Sequence, residues 1–159
     1  MKPIILSKTA EETIYNHAKE TYPEECCGFL FGADNGERHI DIALPVPNSK
    51  QGDKRRRFEI APFDYMKAEQ YAIKNNTTLL GIYHSHPDHP ARPSEHDRKQ
   101  AVPFFSYIIT SVKKGEIADI TSWQLNDKKQ FDREPLYKLK AVVNGKTLEY
   151  FIPITIGNS

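Results

Sequence analysis

The segment that most constrains the fold is LLGIYHSHPDHPARPSEHD, residues 79–97, in which a short apolar run ends in two histidines. The run has the length and apolar character of a strand that is buried within a sheet. Side chains of residues i and i+2 on a strand point to the same face, so His84 and His86 lie side by side. The fold must therefore accommodate two neighbouring imidazoles about 6–7 Å apart.

The rest of the pattern predicts a mixed sheet flanked by helices, an α/β fold at the border with α+β. Capping residues and amphipathic spacing predict helices at residues 9–21 and 62–75, with Ser7 or Thr9 as the first cap, and Ser94 can cap a third helix that runs to about Ala101. Apolar runs predict strands at residues 26–31, 37–46, 77–86, 105–112 and 118–125, with 56–60 as a further short candidate. The tail, residues 137–154, is predicted as a hairpin with Asn144-Gly145 in a type I′ turn.

Composition excludes several classes of protein. The 22 Lys+Arg against 21 Asp+Glu give a net charge of +1, so no global field attracts nucleic acid or an anionic membrane. No apolar run approaches the ~20 residues of a membrane span, and MKPIILSKTAEE is too short in its apolar part for a signal peptide. Adjacent Cys26 and Cys27 are predicted to be reduced thiols. We therefore expect one cytoplasmic domain with no nucleic-acid or membrane partner.

The two histidines suggest a metal site. Two imidazoles on one face can bind one ion, although H-x-H also fits two buried histidines with ordinary hydrogen bonds. A catalytic zinc has three protein ligands and one open position, and Asp97 is the candidate third ligand. Three prolines stiffen the loop that leads to it. Ser94 and Asp97 also match a helix capping box, but a cap does not explain the histidines.

Zinc-dependent hydrolysis further needs a carboxylate that accepts a proton from water. Glu25 opens the apolar segment CCGFLF, where a neighbouring strand would place it near the histidines, and Glu24 is beside it. Adjacent strand residues face opposite sides, so only one can serve. Spacing does not choose between them, and both also fit surface charges at a strand edge.

These residues resemble the JAMM (MPN-plus) zinc metallopeptidases, in their stand-alone prokaryotic form. HSHPDHPARPSEHD fits H-x-H-x7-S-x-x-D, with His84, His86, Ser94 and Asp97 in register. PEECCGFLFG, residues 23–32, resembles the family's upstream segment, whose glutamate corresponds to Glu25. The resemblance covers about residues 8–125 and implies a fold similar to zinc cytidine deaminases. Residues 1–135 would form the JAMM domain, and 136–159 would add a C-terminal hairpin to it.

The resemblance also implies roles for each residue. His84, His86 and Asp97 would bind one Zn²⁺ per chain, Glu25 would be the catalytic base, and Ser94 would donate a hydrogen bond to the oxyanion. The implied reaction is hydrolysis of an amide or isopeptide bond at the C-terminal tail of a ubiquitin-like or sulfur-carrier protein that ends in Gly-Gly. Addition of that tail to a strand edge beside the site would help to hold it.

Three alternatives remain at this point. A non-catalytic MPN-type scaffold that binds partners would be expected to lack the ligands, which are all present here. A zinc deaminase would carry H-x-E and P-C-x-x-C, and the chain has no C-x-x-C. The basic run DKRRRF, residues 53–58, is typical of a solvated loop, or it contacts an acidic partner. His89 and His96 do not fit the ligand spacing.

Overall fold

The computed structural model describes residues 2–143 and 147–154. In chain order the elements are β1 (Ile4–Leu6), α1 (Lys8–Thr21), β2 (Cys27–Asp34), β3 (Arg38–Val46), α2 (Pro62–Lys74), β4 (Thr78–Pro87), α3 (Glu95–Gln100), β5 (Ser106–Lys113), β6 (Glu116–Leu125), β7 (Phe131–Glu134), β8 (Leu136–Val143) and β9 (Thr147–Pro153). The three predicted helices and the five predicted strands are present. The strand suggested at 56–60 is wrong, β1 and β7 were not predicted, and the Asn144-Gly145 turn lies outside the described residues.

The strands form one mixed sheet in the order β7-β6-β5-β4-β2-β3-β1-β8-β9. The histidine-bearing strand β4 lies inside this sheet, parallel to β5 and antiparallel to β2. Strand β1 pairs in parallel with both β3 and β8, so it joins the terminal β8–β9 hairpin to the rest of the sheet. The α/β class expected from the sequence is confirmed.

The sheet is the middle of three layers. Leu30 packs in an apolar cluster with Ile14 and Ala18 of α1, whereas its neighbours Phe29 and Phe31 pack with Ala68 and Ala72 of α2 on the other face. This alternation along β2 assigns α1 and α2 to opposite faces of the sheet. No helix among residues 2–143 and 147–154 combines the length and apolarity that crossing a membrane requires.

A β-bulge interrupts the pairing of β2 with β4. Leu30 pairs with Gly81 but Phe31 pairs with Leu79, which leaves Leu80 as the extra residue of β4. Leu80 therefore packs with the α1 cluster, while Ile82, two residues later, packs with the α2 cluster. Gly81 is required next to the bulge, because a Cβ there would lie 1.9 Å from the backbone oxygen of Ser106 on β5.

A buried polar network ties the β3 end of the sheet to β5. Arg38, only 2% exposed, donates to Asp34 at 3.0 Å and to the Ser106 hydroxyl at 2.9 Å. Ser106 in turn donates to the buried Glu134 at 3.2 Å. The network satisfies an arginine that would otherwise be costly to bury.

Candidate metal centre

His84 and His86 lie on the same face of β4, as strand alternation predicts. They are 1% and 8% exposed, and their ring centroids are 5.1 Å apart. The intervening Ser85 points to the opposite face, where its hydroxyl accepts from the Cys26 amide at 2.8 Å. This bond fastens β4 to the residue that follows Glu25.

Glu25, rather than Glu24, faces the histidines. Cys27 pairs with His84 in the antiparallel β2–β4 register, so the chain two residues earlier lies opposite His86. Glu25 is 4% exposed and its Oε1 lies 3.8 Å from His84 Nδ1, whereas Glu24 is exposed. The choice that the spacing left open is therefore made by burial and orientation.

Asp97 completes the cluster from the first turn of α3. Its Oδ2 lies 3.2 Å from His86 Nε2 and 3.9 Å from His84 Nε2. The carboxylate is oriented by a capping box, in which the Ser94 amide donates to Asp97 Oδ2 at 2.9 Å and the Asp97 amide donates to Ser94 Oγ at 3.0 Å. The cap therefore exists, and it also positions Asp97 at the histidines.

The cluster fits a metal ion. One potential ligand atom from each of Glu25, His84 and His86 lies within 4.8 Å of the others. Glu25 Oε1 and His84 Nδ1 are buried and have no hydrogen-bond partner among the described residues. Buried polar atoms are rarely left unsatisfied, so these two favour a site that is completed by a bound cation and its water.

Protonation states within the cluster follow from burial and from the mutual contacts. Burial lowers the pKa of His84 to about 4, which keeps its imidazole neutral and able to bind a metal. Burial raises the pKa of Glu25 to about 8. Burial also opposes the charge of Asp97, but His84, His86 and the Ser94 amide together hold the pKa of Asp97 well below its usual range. Asp97 is thus the ionised member of the cluster.

His86 is oriented by the backbone of the following loop. Its Nδ1 lies 2.9 Å from the Pro90 carbonyl oxygen, which can only accept, so the ring donates there and turns Nε2 toward Asp97. Burial disfavours a charged His86, but the bonds to Asp97 and Pro90 outweigh it and raise the pKa of the ring. A carbonyl that fixes the far nitrogen is typical of histidines that bind metals.

Sequence reasoning missed two residues that shape the site. Phe58 stacks on His84, with ring centroids 4.5 Å apart and planes 28° apart. Asn48 donates to the Glu25 and Arg57 carbonyl oxygens, both at 3.1 Å, and accepts from the amides of residues 50 and 59 at 3.0 and 3.1 Å. An isolated asparagine in a polar loop gives no local signal of this role, because its partners come from three separate segments.

The basic segment 53–58 runs along the same site. The Glu25 amide donates to the Lys54 carbonyl at 2.7 Å, and Arg57 donates to His96 Nδ1 at 2.7 Å. A pocket of about 280 Å³ opens beside the cluster and is lined by Glu25, Arg56, His86, His89, Pro90, Arg92 and Ser94. In the described sheet β4 has β2 and β5 as neighbours, and its pairing with β2 extends as far as His84.

The chain is similar to known proteins over most of its length. The family described as prokaryotic homologs of the JAB domain matches residues 7–126. Desampylase of Haloferax volcanii is 32% identical over 67% of this chain and 78% of its own. CysO-cysteine peptidase of Mycobacterium tuberculosis is 29% identical over 70% and 75%. Tail tip assembly protein K of Escherichia phage N15 is 32% identical over 69% of this chain but only 41% of that protein.

Two solved structures share the fold. A protein of Desulfitobacterium hafniense, solved in solution, superposes with a TM-score of 0.75 at 31% identity, over 85% of this chain and 92% of that one. A JAB1/MPN domain protein of Archaeoglobus fulgidus superposes with a TM-score of 0.52 at 22% identity, over 86% and 98%. The second likeness concerns the fold alone.

Proposed function

Since the chain belongs to the JAMM family of hydrolases, in its branch of prokaryotic homologs of the JAB domain, we propose that it is a zinc metallopeptidase. It hydrolyses an amide or isopeptide bond at the C-terminal tail of a ubiquitin-like or sulfur-carrier protein. One observation carries the proposal: Glu25, two histidines and Asp97 meet in a buried cluster in which two polar atoms have no hydrogen-bond partner among the described residues.

We assign His84, His86 and Asp97 as the ligands of one zinc ion per chain, through two imidazole nitrogens and an ionised carboxylate. When bound, zinc lowers the pKa of water to about 7 and polarises a carbonyl group. Glu25 takes the proton of the attacking water and returns it to the leaving amine. Its burial favours the protonated form, which suits the second of these transfers.

Ser94 is assigned to the oxyanion. Its hydroxyl oxygen accepts a hydrogen bond from the Asp97 amide, so the hydroxyl hydrogen is still available to a substrate. Ser94 also lines the pocket beside Glu25 and His86. A donor fixed by a helix cap needs little reorganisation as the carbonyl oxygen gains charge.

The relatives named desampylase and CysO-cysteine peptidase support a small protein carrier as the partner. A tail ending in Gly-Gly suits this site, because a chain without side chains can approach a recessed cluster closely. We place that tail between the loops that follow β3 and β4, because both loops contribute residues to the pocket beside the cluster.

The test compares wild type with Glu25→Gln on a ubiquitin-like protein whose Gly-Gly tail carries an extension. We expect both to hold about one zinc per chain and the variant to lose roughly 10²–10⁴-fold in kcat/KM. The exposed neighbour offers a matched control, so Glu24→Gln should keep wild-type turnover. Equal turnover in Glu25→Gln would remove Glu25 from its role. A zinc-free protein that His84→Ala does not alter would support the non-catalytic scaffold instead.

A further inference from the structure

The pocket beside the cluster is lined by positive charges that the hydrolysis itself does not require. Two of its lining residues, Arg56 and Arg92, are arginines, and Glu25 is its one acidic lining residue. Each guanidinium presents a planar set of donors that matches a carboxylate. The lining also includes both proposed catalytic side chains, so an anion bound there lies close to the reacting bond.

Both arginines are available to a ligand. Among the described residues, the Arg92 side chain makes no ion pair and no hydrogen bond. Arg56 pairs with Asp53 at 3.7 Å, but both side chains are largely exposed, at 81% and 57%. Such surface pairs contribute little, so Arg56 can exchange this partner for a better one.

An anion next to the reacting bond identifies one side of the substrate. The acyl side, a Gly-Gly tail, carries no charged side chain near the bond. A lysine ε-amine, the leaving group of an isopeptide, also has no carboxylate next to the reacting nitrogen. A single C-terminal amino acid does, since its α-carboxylate is one carbon away from that nitrogen.

We propose that Arg56 and Arg92 bind the free α-carboxylate of a single amino acid on the leaving-group side, so that the chain prefers to remove one C-terminal residue from its carrier. Water adds its oxygen to the carbonyl carbon, the C–N bond breaks, and the free amino acid leaves with the proton on its amine. The pocket, about 280 Å³, is at the small end of ligand pockets, which span roughly 300–1,000 Å³. That size suits one residue rather than a folded chain.

This inference rests on the proposed function and narrows its substrate class. The test uses one carrier tail ending in Gly-Gly, joined to L-alanine, to L-alaninamide or to a lysine ε-amine, with kcat/KM measured at ~0.15 M salt to limit long-range effects. We expect the kcat/KM of wild type to be roughly 10-fold or more higher for the alanine substrate than for the alaninamide substrate. A hydrogen bond to a charged group usually contributes about this much. The ratio should fall toward one in Arg92→Gln and further in Arg56→Gln/Arg92→Gln.

Arg55→Gln is the matched control. Arg55 is an exposed arginine of the same loop that borders a neighbouring pocket instead, so this variant should keep the preference. A wild-type ratio near one, or a ratio that survives in the double variant, would overturn the inference while leaving the peptidase proposal intact.

A binding measurement separates the two proposals. Ligand-detected NMR should show L-alanine, but not L-alaninamide, bound to the protein as purified, with the signal lost in the double variant. If no substrate is cleaved but this arginine-dependent binding is seen, the pocket assignment stands and the peptidase proposal fails. If L-alanine binds equally to the double variant, the assignment fails.

Discussion

At the scale of single residues, burial and close contacts shift the pKa values of three ordinary side chains. His84 is held neutral because it is buried, and Asp97 is held ionised by the two imidazoles and the Ser94 amide, which lower its pKa. Glu25 is disfavoured as an anion by the same burial. The cluster thus combines imidazole nitrogens with one fixed negative charge, a set of donors that suits a divalent cation.

Ser94 caps α3 and is also the proposed oxyanion donor, and substitutions can distinguish the two roles. Ser94→Ala removes both the cap and the proposed donor, so we expect a loss of about 1 kcal/mol in the free energy of unfolding and roughly 10²-fold or more in kcat. Ser94→Asp keeps a capping oxygen but has no hydroxyl hydrogen, so stability should recover while kcat stays low. Urea unfolding and steady-state kinetics measure the two effects, and recovery of kcat in Ser94→Asp would assign the serine to the cap alone.

Because of Asp34, the free energy of unfolding should change with pH in the acid range. Lys2 and Arg38 hold the pKa of Asp34 below its usual value. An acid with a lowered pKa stabilises the fold only when ionised, so its contribution is complete above about pH 4 and is lost as the pH falls through the folded-state pKa.

In chelator-treated protein, the free energy of unfolding should therefore fall less between about pH 5 and pH 2 in Asp34→Asn than in wild type. The exposed Asp41 provides the comparison, and Asp41→Asn should follow wild type. Parallel curves for Asp34→Asn and wild type would contradict the assignment.

At the scale of elements, the loop after β3 is organised by one side chain. Asn48 links Glu25, which precedes β2, to the segment that carries Arg57 and stacks Phe58 on His84. The loop is therefore part of the site although it contains no strand. Its path depends on hydrogen bonds rather than on apolar packing.

Asn48→Ala should disturb this loop more than the core. Loss of four hydrogen bonds leaves two carbonyls and two amides to water, and we expect a cost of about 1–3 kcal/mol in unfolding free energy. A larger relative loss in kcat/KM should accompany it, because Glu25 loses its backbone support. Ser49→Ala, which removes one bond to residue 59 in the same loop, should be nearly neutral in both measurements. Equal effects of the two substitutions would show that Asn48 has no special role.

The elements that sequence patterns predicted are those whose burial is continuous. Strands β2 and β4 are long apolar runs, and α1 carries its own cap at Ser7, one of the two candidates, so local signals suffice. Strand β1 has three residues, too few to establish a period. Strand β7 reads FDRE, and its buried Glu134 is tolerated only because Ser106 and Ser122, distant in sequence, donate to it.

The residues of the site likewise divide into those that local sequence patterns predict and those that they do not. His84 and His86 follow from alternation along one strand, and Asp97 follows from the ligand number that zinc requires. Glu25 needed either the family resemblance or the register of β2 against β4. Phe58 and the arginines at the pocket depend on the path of an irregular loop, which no local pattern predicts.

At the scale of the whole molecule, the cluster joins segments that are far apart in sequence. Glu25 precedes β2, the histidines end β4, and Asp97 begins α3. A metal bound only by the folded state stabilises it by about 2.7 kcal/mol when its free concentration is 100-fold above Kd.

Zinc should therefore raise Tm by about 5–10 °C in a domain of this size relative to chelator-treated protein. His84→Ala should abolish the rise, and His39→Ala, on β3 and outside the cluster, should retain it. Differential scanning calorimetry measures both, and an unchanged rise in His84→Ala would place the ion elsewhere.

The bulge at Leu80 has a consequence for how the chain can change in length. Odd-numbered residues face one side of the sheet before the bulge and the other side after it. Leu79 and Ile82 therefore share a face although they are three positions apart. One residue lost or gained at this point can be absorbed by the bulge itself. Between Gly81 and His84 the strand is paired without interruption on both sides, and a single insertion there would turn the residues that follow it, both histidines included, to the opposite face. Related chains should therefore show insertions and deletions before Gly81 but not between Gly81 and the histidines.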